Sequence, residues 1–330
     1  MCSPAVPSVR HAARLAALVT LLVGARPIES QSPPIGVQSP PFKSGVDAVA
    51  VNVTVTDGAK RYVTDLGQDD FVLLEDGRPQ QITVFRQTGV SLAVALLIDT
   101  SASMRLTLPI AQQAAIGFVR ELAATDVAAV FDVDSRVGVS QDFTNDREAL
   151  ERAIQRTRAG GTTSLYDAVY IALRELKKTI RGEPFENPRR RAIVLLSDGE
   201  DTSSLVSFEE AQDAAARSDT AVYAIGLLTP AATQWLEKPH EAEFVLRRLA
   251  QQTGGRAFFP ADAKELRGIY GAIKAELSNQ YFLGYESSNP RRDGAFRRIA
   301  VRVGRPGVVA RARPGYYAAL DRTSSASQRH

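Results

Sequence analysis

Three stretches of the chain gather carboxylates and hydroxyls at short spacing: Asp99, Ser101 and Ser103; then Gly160, Gly161, Thr162, Thr163 and Ser164; then Ser197, Asp198, Gly199, Glu200 and Asp201. Oxygen donors of this kind suit a small hard cation. Mg2+ takes octahedral oxygen at ~2.0–2.1 Å and keeps several waters, so few protein ligands are needed. A carboxylate followed by two hydroxyls at intervals of two residues directs three oxygens to one side of a turn. Asp and Ser are also favoured at helix N-caps, so Asp99, Ser101 and Ser103 taken alone leave both readings open. Nitrogen and sulfur chemistry is scarce: histidine stands only at His11, His240 and His330, and the single cysteine is Cys2. A Ser-His-Asp triad, a Cys-His dyad, a zinc site or a redox pair lacks its residues. No G-x-x-x-x-G-K-[ST] phosphate loop occurs, and Ser101 has no neighbouring histidine or evident lysine base. The expectation is therefore a protein that is not an enzyme.

The elements that must position these residues follow from periodicity. Residues 90–279 alternate continuous apolar runs with amphipathic helical stretches, the pattern of a parallel sheet covered on both faces. The runs are 92–98, 127–133, 192–196, 221–227 and 256–259, with helical text at 110–123, 145–157, 165–180, 207–218, 241–252 and 263–279. The first run leads straight into Asp99 and the third into Ser197 and Asp198. Open α/β sheets bind ligands at the carboxyl ends of their strands, so all three oxygen-rich loops are expected to converge on one edge. On either side, residues 46–89 and 280–320 alternate with a period of two and are broken by turns at Asp57 and Gly58, Asp76 and Gly77, and Asp293 and Gly294. These read as short antiparallel strands. Few strands at each end are marginal alone, so the two flanks are expected to pack into one β-sandwich with the α/β, doubly wound and mostly parallel unit inserted between them.

In this order and spacing, Asp99-x-Ser101-x-Ser103, the Gly160–Thr163 helix start and Asp198 followed by Gly199 resemble the metal-ion-dependent adhesion site of von Willebrand factor type A domains, the module shared with integrin inserted domains. The resemblance covers about residues 90–279. The flanks, with Asp69, Asp70, Phe71, Leu73, Leu74, Glu75, Asp76 and Gly77, then Gln280 to Tyr285 and Arg313 to Tyr317, are similar to a related bacterial family known mainly from acidobacterial genomes. The resemblance implies that Ser101 and Ser103 hold a metal directly, that Asp99 and Asp198 act directly or through water, and that Thr163 contributes, with Thr162 as second choice. Mg2+ is the implied ion, with Mn2+ or Ca2+ as alternatives. It also implies adhesion by an open coordination position that takes an Asp or Glu of a partner protein. The rival reading is a structural or assembly protein of the cell envelope, in which the metal only braces loops and the sandwich makes the contacts. Rim positions expected to set specificity are Met104, Arg105, Leu106, Tyr166, Leu205 and the 229–240 loop with Trp235. Glu200 and Asp201 read as loop or capping carboxylates, and Asp167 as a cap or a hydrogen-bonding partner within its own helix.

The ends and the charge balance bound the setting. Residues 1–25 place Arg10, His11 and Arg14 before the apolar run 15–23 and close on small residues, which predicts a cleavable signal peptide and a secreted or periplasmic protein. The run is too short to span a bilayer, so no stable membrane span is expected in the mature chain. Residues 26–45 are rich in Pro and Ser and read as a disordered linker; residues 321–330 read as a loose tail. The net charge of +3 on 330 residues is no nucleic-acid footprint. Arg291, Arg292, Arg297, Arg298, Arg302, Arg305, Arg311 and Arg313 form the one basic stretch; alternate strand positions facing water are the expected explanation, and contact with anionic glycan or lipid is the other. The oligomeric state is unreadable.

Overall fold

The structure, a computed structural model, describes residues 48–87, 90–179, 181–183, 189–227 and 239–320. Residues 1–25, 26–45 and 321–330, expected to be signal peptide, linker and tail, and Trp235 lie outside the described residues. The central unit is a six-stranded sheet, built from β5 (Leu92–Asp99), β6 (Val127–Val133), β7 (Gly138–Thr144), β8 (Arg190–Ser197), β9 (Thr220–Gly226) and β10 (Ala257–Phe258), in the order β10-β9-β8-β5-β6-β7. All pairs are parallel except β6 with β7. Every residue of β5 is buried, as the unbroken apolar run requires of a strand covered on both faces.

The covering helices divide evenly. Leu92, Val94, Leu96 and Ile98 of β5 pack with α1 (Leu108–Arg120), α2 (Arg147–Arg156) and α6 (Leu266–Ser278). Ala93, Ala95 and Leu97 face α3 (Leu165–Thr179), α4 (Phe208–Ala216) and α5 (Pro239–Gln252). This is the doubly wound arrangement. β5 lies between β8 and β6, so the chain leaves the sheet centre in two directions and the crevice opens at the carboxyl end of β5.

The flanks form two four-stranded sheets, β13-β1-β11-β4 and β14-β12-β2-β3. Their strands are β1 (Ala48–Asp57), β2 (Phe71–Glu75), β3 (Arg78–Gln80) and β4 (Ile82–Arg86) from before the α/β unit. β11 (Tyr281–Glu286), β12 (Phe296–Val303), β13 (Val308–Arg311) and β14 (Gly315–Tyr317) come from after it. Each sheet mixes the two sources, with β1 antiparallel to both β11 and β13 and β12 antiparallel to β2. Val49, Val51, Val53 and Val55 point inward at period two, against Leu73, Leu283, Tyr285 and Ile299. Phe71, Phe85 and Tyr281 stack at centroid distances of 5.0–5.9 Å. The α/β unit is thus inserted in a β-sandwich. Among the described residues no helix is long and apolar enough to cross a membrane.

Two local features depart from the sequence reading. β7 has no buried residue and carries Ser140, Gln141 and Asp142 at its centre, so no apolar run announces it. The alternation from Val308 to Tyr317 is two strands: Arg311 pairs with Thr54 in one sheet, and Gly315 pairs with Arg298 in the other. Pro314, lacking an N–H, sits where the chain changes sheets. A side chain at Gly315 would begin 2.3 Å from the Arg297 carbonyl oxygen, so only glycine fits that approach.

Candidate metal centre

β5 delivers Asp99 fully buried to the carboxyl edge of the sheet, and the chain then turns into a short 3-10 segment, Ala102–Leu106. β8 delivers Ser197 and Asp198 beside it, also buried. Gly199 follows at φ 83°, a left-handed conformation that suits glycine, and a side chain there would meet Ala242 and Leu246 at 3.0 Å. The third loop descends from α2 and opens α3. Backbone bonds fasten it to the first loop, from the Gly160 amide to the Thr100 carbonyl at 2.7 Å and from the Ala102 amide to the Gly161 carbonyl at 3.2 Å. On its other side, the Thr163 carbonyl accepts from the Thr202 and Ser203 amides at 2.9 and 3.0 Å, and the Thr163 amide donates to Thr202 Oγ1 at 3.0 Å.

The side chains close the same circuit. Asp99 Oδ1 accepts from the Ser101 amide at 2.9 Å, and Asp99 Oδ2 accepts from Ser197 Oγ at 2.6 Å. Ser101 Oγ and Ser103 Oγ lie 2.9 Å apart, and Ser103 Oγ donates to Asp198 Oδ2 at 2.6 Å. Asp99, Ser101 and Asp198 thus join through Ser103, while Thr163 is buried in the loop tied to both neighbours. Ser103 is exposed, so the cluster runs from a buried carboxylate floor to a hydroxyl at the solvent. Burial, reinforced by the negative charge of Asp198, pushes the Asp99 carboxyl up to about 7. Two close carboxylates with uncharged hydroxyls and no basic side chain among their hydrogen-bond partners form a donor set that fits a hard divalent cation, which would relieve the cost of burying the charge.

The neighbouring carboxylates have other work. Asp201 Oδ1 accepts from the Leu165 and Tyr166 amides at 2.7 and 3.3 Å and from Ser204 Oγ at 2.6 Å, so it caps α3 from the adjacent loop. Asp167 accepts from the Leu205 and Val206 amides, at 3.1 and 2.9 Å; its partners lie across the third loop, not within its own helix as expected. Sequence spacing could not locate that partner, because the residues stand far apart in the chain. Met104 is 1% exposed and belongs to the core under α1, which corrects its placement at the rim: the 3-10 turn rolls it inward. Leu106 at 84% and Leu205 at 95% exposure stand outside, with Arg105 exposed between the loops' ends and Tyr166 partly covered by Phe208. Thr162 is exposed and donates its hydroxyl to Ser203 Oγ at 2.9 Å.

The arginines of the last segment also separate. Arg297 and Arg313 are 2% and 8% exposed, against the expectation that they face water. Arg297 reaches Glu75 at 3.5 Å and Arg313 reaches Asp219 at 2.5 Å. Arg305 pairs with Asp65 and Arg311 with Glu276. Alternation marks which side of a strand a residue occupies, but an inward arginine is tolerated wherever a carboxylate meets it, as buried Glu75 does for Arg297.

The family model of the von Willebrand factor type A domain matches residues 94–200. A UPF0353 protein of Mycobacterium bovis is 25% identical over 244 residues, covering 68% of this chain and 71% of the relative. Among solved structures, a von Willebrand factor type A protein from Catenulispora acidiphila aligns with a TM-score of 0.49 and 15% identity, over 79% of this chain and 76% of that one. Proximal thread matrix protein 1 from the mussel byssus, solved with a zinc-occupied MIDAS motif, aligns with a TM-score of 0.46 and 16% identity, over 57% of this chain; the match spans about half, 48%, of the mussel protein's length. The matched stretch, residues 94–200, carries most of β5, the whole of β8 and the oxygen-bearing residues from Asp99 to Glu200, and over that stretch the chain matches a von Willebrand factor type A domain.

Proposed function

We propose that Asp99, Ser101, Ser103, Thr163 and Asp198 hold a divalent cation, Mg2+ in the first instance with Mn2+ or Ca2+ as alternatives, and that this centre captures an acidic side chain of a partner protein. The observation that carries the reading is that two loops are joined from Asp99 to Asp198 through the two serine hydroxyls, while the loop of Thr163 is fastened to both by backbone bonds. Von Willebrand factor type A domains are often metal-dependent adhesion or protein-interaction modules, in keeping with this use. Bound there, the cation would supply an electrophilic position for a carboxylate oxygen.

The residues of the chain have distinct parts in this reading. Asp99 and Asp198 supply the negative charge, directly or through water. Ser101 and Ser103 contribute oxygen without further charge, which leaves the cation able to attract an outside carboxylate. Thr163 is favoured over Thr162 because Thr163 is buried, whereas Thr162 is exposed and its hydroxyl is engaged with Ser203. Exposed Ser103 marks the side from which a partner arrives, flanked by Arg105, Leu106 and Leu205. Recognition without turnover is part of the same proposal. Export through the residue 1–25 leader, with the folded chain secreted or periplasmic, belongs to the same proposal.

Calorimetric titration of the chelator-treated protein with Mg2+ and with Mn2+ tests it. Saturable one-to-one binding is expected for wild type, with affinity reduced at least about tenfold in Ser101→Ala and Ser103→Ala, corresponding to about 1.4 kcal/mol or more. Equal binding by wild type and both variants would remove the assignment.

A further inference from the structure

A second site lies in the sandwich, in a cleft of about 400 Å3 between the β2–β3 turn and the segment that follows β11. Its floor is Glu75, 2% exposed. That carboxylate has no free lone pair to offer: Oε2 accepts from Tyr285 Oη at 2.8 Å and Tyr316 Oη at 2.9 Å, while Oε1 accepts from Ser287 Oγ at 2.7 Å and Arg297 Nη1 at 3.5 Å. Burial and the adjoining Glu75 raise both tyrosine hydroxyls above their ordinary value, so they remain donors to it. A carboxylate has about four acceptor sites, and these four donors fill them. Arg297 balances its charge from behind. The floor is therefore neutral and closed to a ligand.

What remains is one-sided. Gln80 is engaged at both ends by Ser288, Nε2 to Oγ and Oε1 from the amide, each at 2.9 Å. Asp76, the one acidic group at the mouth, accepts from the Arg298 amide through Oδ1 at 2.9 Å. Arg78 and Arg291 line the cleft from opposite walls, both exposed, and among the described residues neither guanidinium makes an ion pair or a hydrogen bond. The free groups are planar donor forks, suited to a bidentate acceptor. We propose that this cleft binds an oxoanion, the phosphate or sulfate group of a small molecule or saccharide, between Arg78 and Arg291. A concave site of this volume receives a discrete group and not a flat charged surface. It is independent of the metal centre.

The test is calorimetric titration of the full chain, in chelator so that the metal centre contributes nothing, with inorganic phosphate, inorganic sulfate and a sulfated heparin disaccharide. Saturable binding of at least one is expected, with the preference between phosphate and sulfate separating the two sources. Arg78→Gln and Arg291→Gln should each weaken it about tenfold. Arg302→Gln, which removes an equal charge from an exposed position opposite Val72, should change it less than about twofold. Neither the Arg78 nor the Arg291 guanidinium has a hydrogen bond or ion pair to lose among the described residues, and unchanged urea midpoints will show that their variants fold. Failure of all three probes to saturate, or an Arg302→Gln effect as large as the other two, would overturn the proposal.

Discussion

Asp99 sits where the sheet delivers it, fully buried and with Asp198 close by, and its proton is governed by that setting. Its carboxyl stands at about 7 in the folded chain against 3.8 as its ordinary value. The neutral form is therefore favoured by folding. The stability it contributes is present in full below about pH 4 and is lost as pH rises through about 7, where the buried group must ionise. Cation binding needs the ionised form, so affinity rises across the same interval. Asp219, held low by Arg313 and Arg191, works in the opposite sense at more acid pH, so wild type must be compared with Asp99→Asn to isolate the effect. The expected result for metal-free protein is a Tm advantage of wild type over Asp99→Asn that shrinks from pH 4 to pH 8, and a gain in Tm on adding Mg2+ at pH 8 seen in wild type alone. A constant difference across that range, measured by calorimetric scans, would show that Asp99 does not titrate in this way. Residue type and spacing marked Asp99, Ser101, Ser103 and Asp198 as oxygen donors at strand ends, and the structure brings them together; Ser197, which donates to Asp99, gave no such sign, because a serine ending a strand carries no signal of its direction.

At the level of elements, the loops hold the cluster because each is anchored to a neighbour. Asp201 illustrates this: it lies on the loop after β8 but satisfies the first two amides of α3, which would otherwise lack acceptors. Its loss should act on stability before chemistry. Asp201→Ala is expected to cost about 1 kcal/mol in urea unfolding, the usual worth of an N-cap, while changing metal affinity less than Ser103→Ala does. If metal affinity fell as far as in Ser103→Ala, Asp201 would have to be counted with the ligands. The same scale explains what periodicity could reveal. Continuous apolar runs marked β5, β6, β8 and β9 because both faces of those strands are covered, and 3.6-residue patterns marked the six α-helices among the described residues. β7 escaped because an edge strand with polar residues has neither pattern, and β13 and β14 merged because alternation persists through the change of sheet at Pro314.

The whole molecule depends on how the last helix of the α/β unit enters the sandwich. Glu276, 1% exposed near the end of α6, accepts from Tyr223 Oη of β9 at 2.7 Å and pairs with Arg311 of β13 and, at 3.6 Å, with Arg256. Four residues on, Gln280 Nε2 donates to Thr54 Oγ1 of β1 at 3.2 Å and to Tyr223 Oη at 3.1 Å. One buried carboxylate therefore joins the helix, the parallel sheet and a sandwich strand. Tyr223 is pushed well above its ordinary value by burial and by Glu276, so its hydroxyl stays a donor throughout the accessible pH range. Replacing Glu276 leaves Arg311 uncompensated and the tyrosine hydroxyl short of its acceptor. Breaking a buried pair costs about 3–5 kcal/mol, and with Arg311 32% exposed the solvent returns part of it, so Glu276→Ala should cost about 2–4 kcal/mol. Arg311→Ala should cost less, since Arg256 and Tyr223 still face the carboxylate. If the junction unites the two parts, wild type unfolds in a single urea transition and Glu276→Ala separates it into two; a single transition at an unchanged midpoint would mean that apolar packing alone joins the α/β unit to the sandwich.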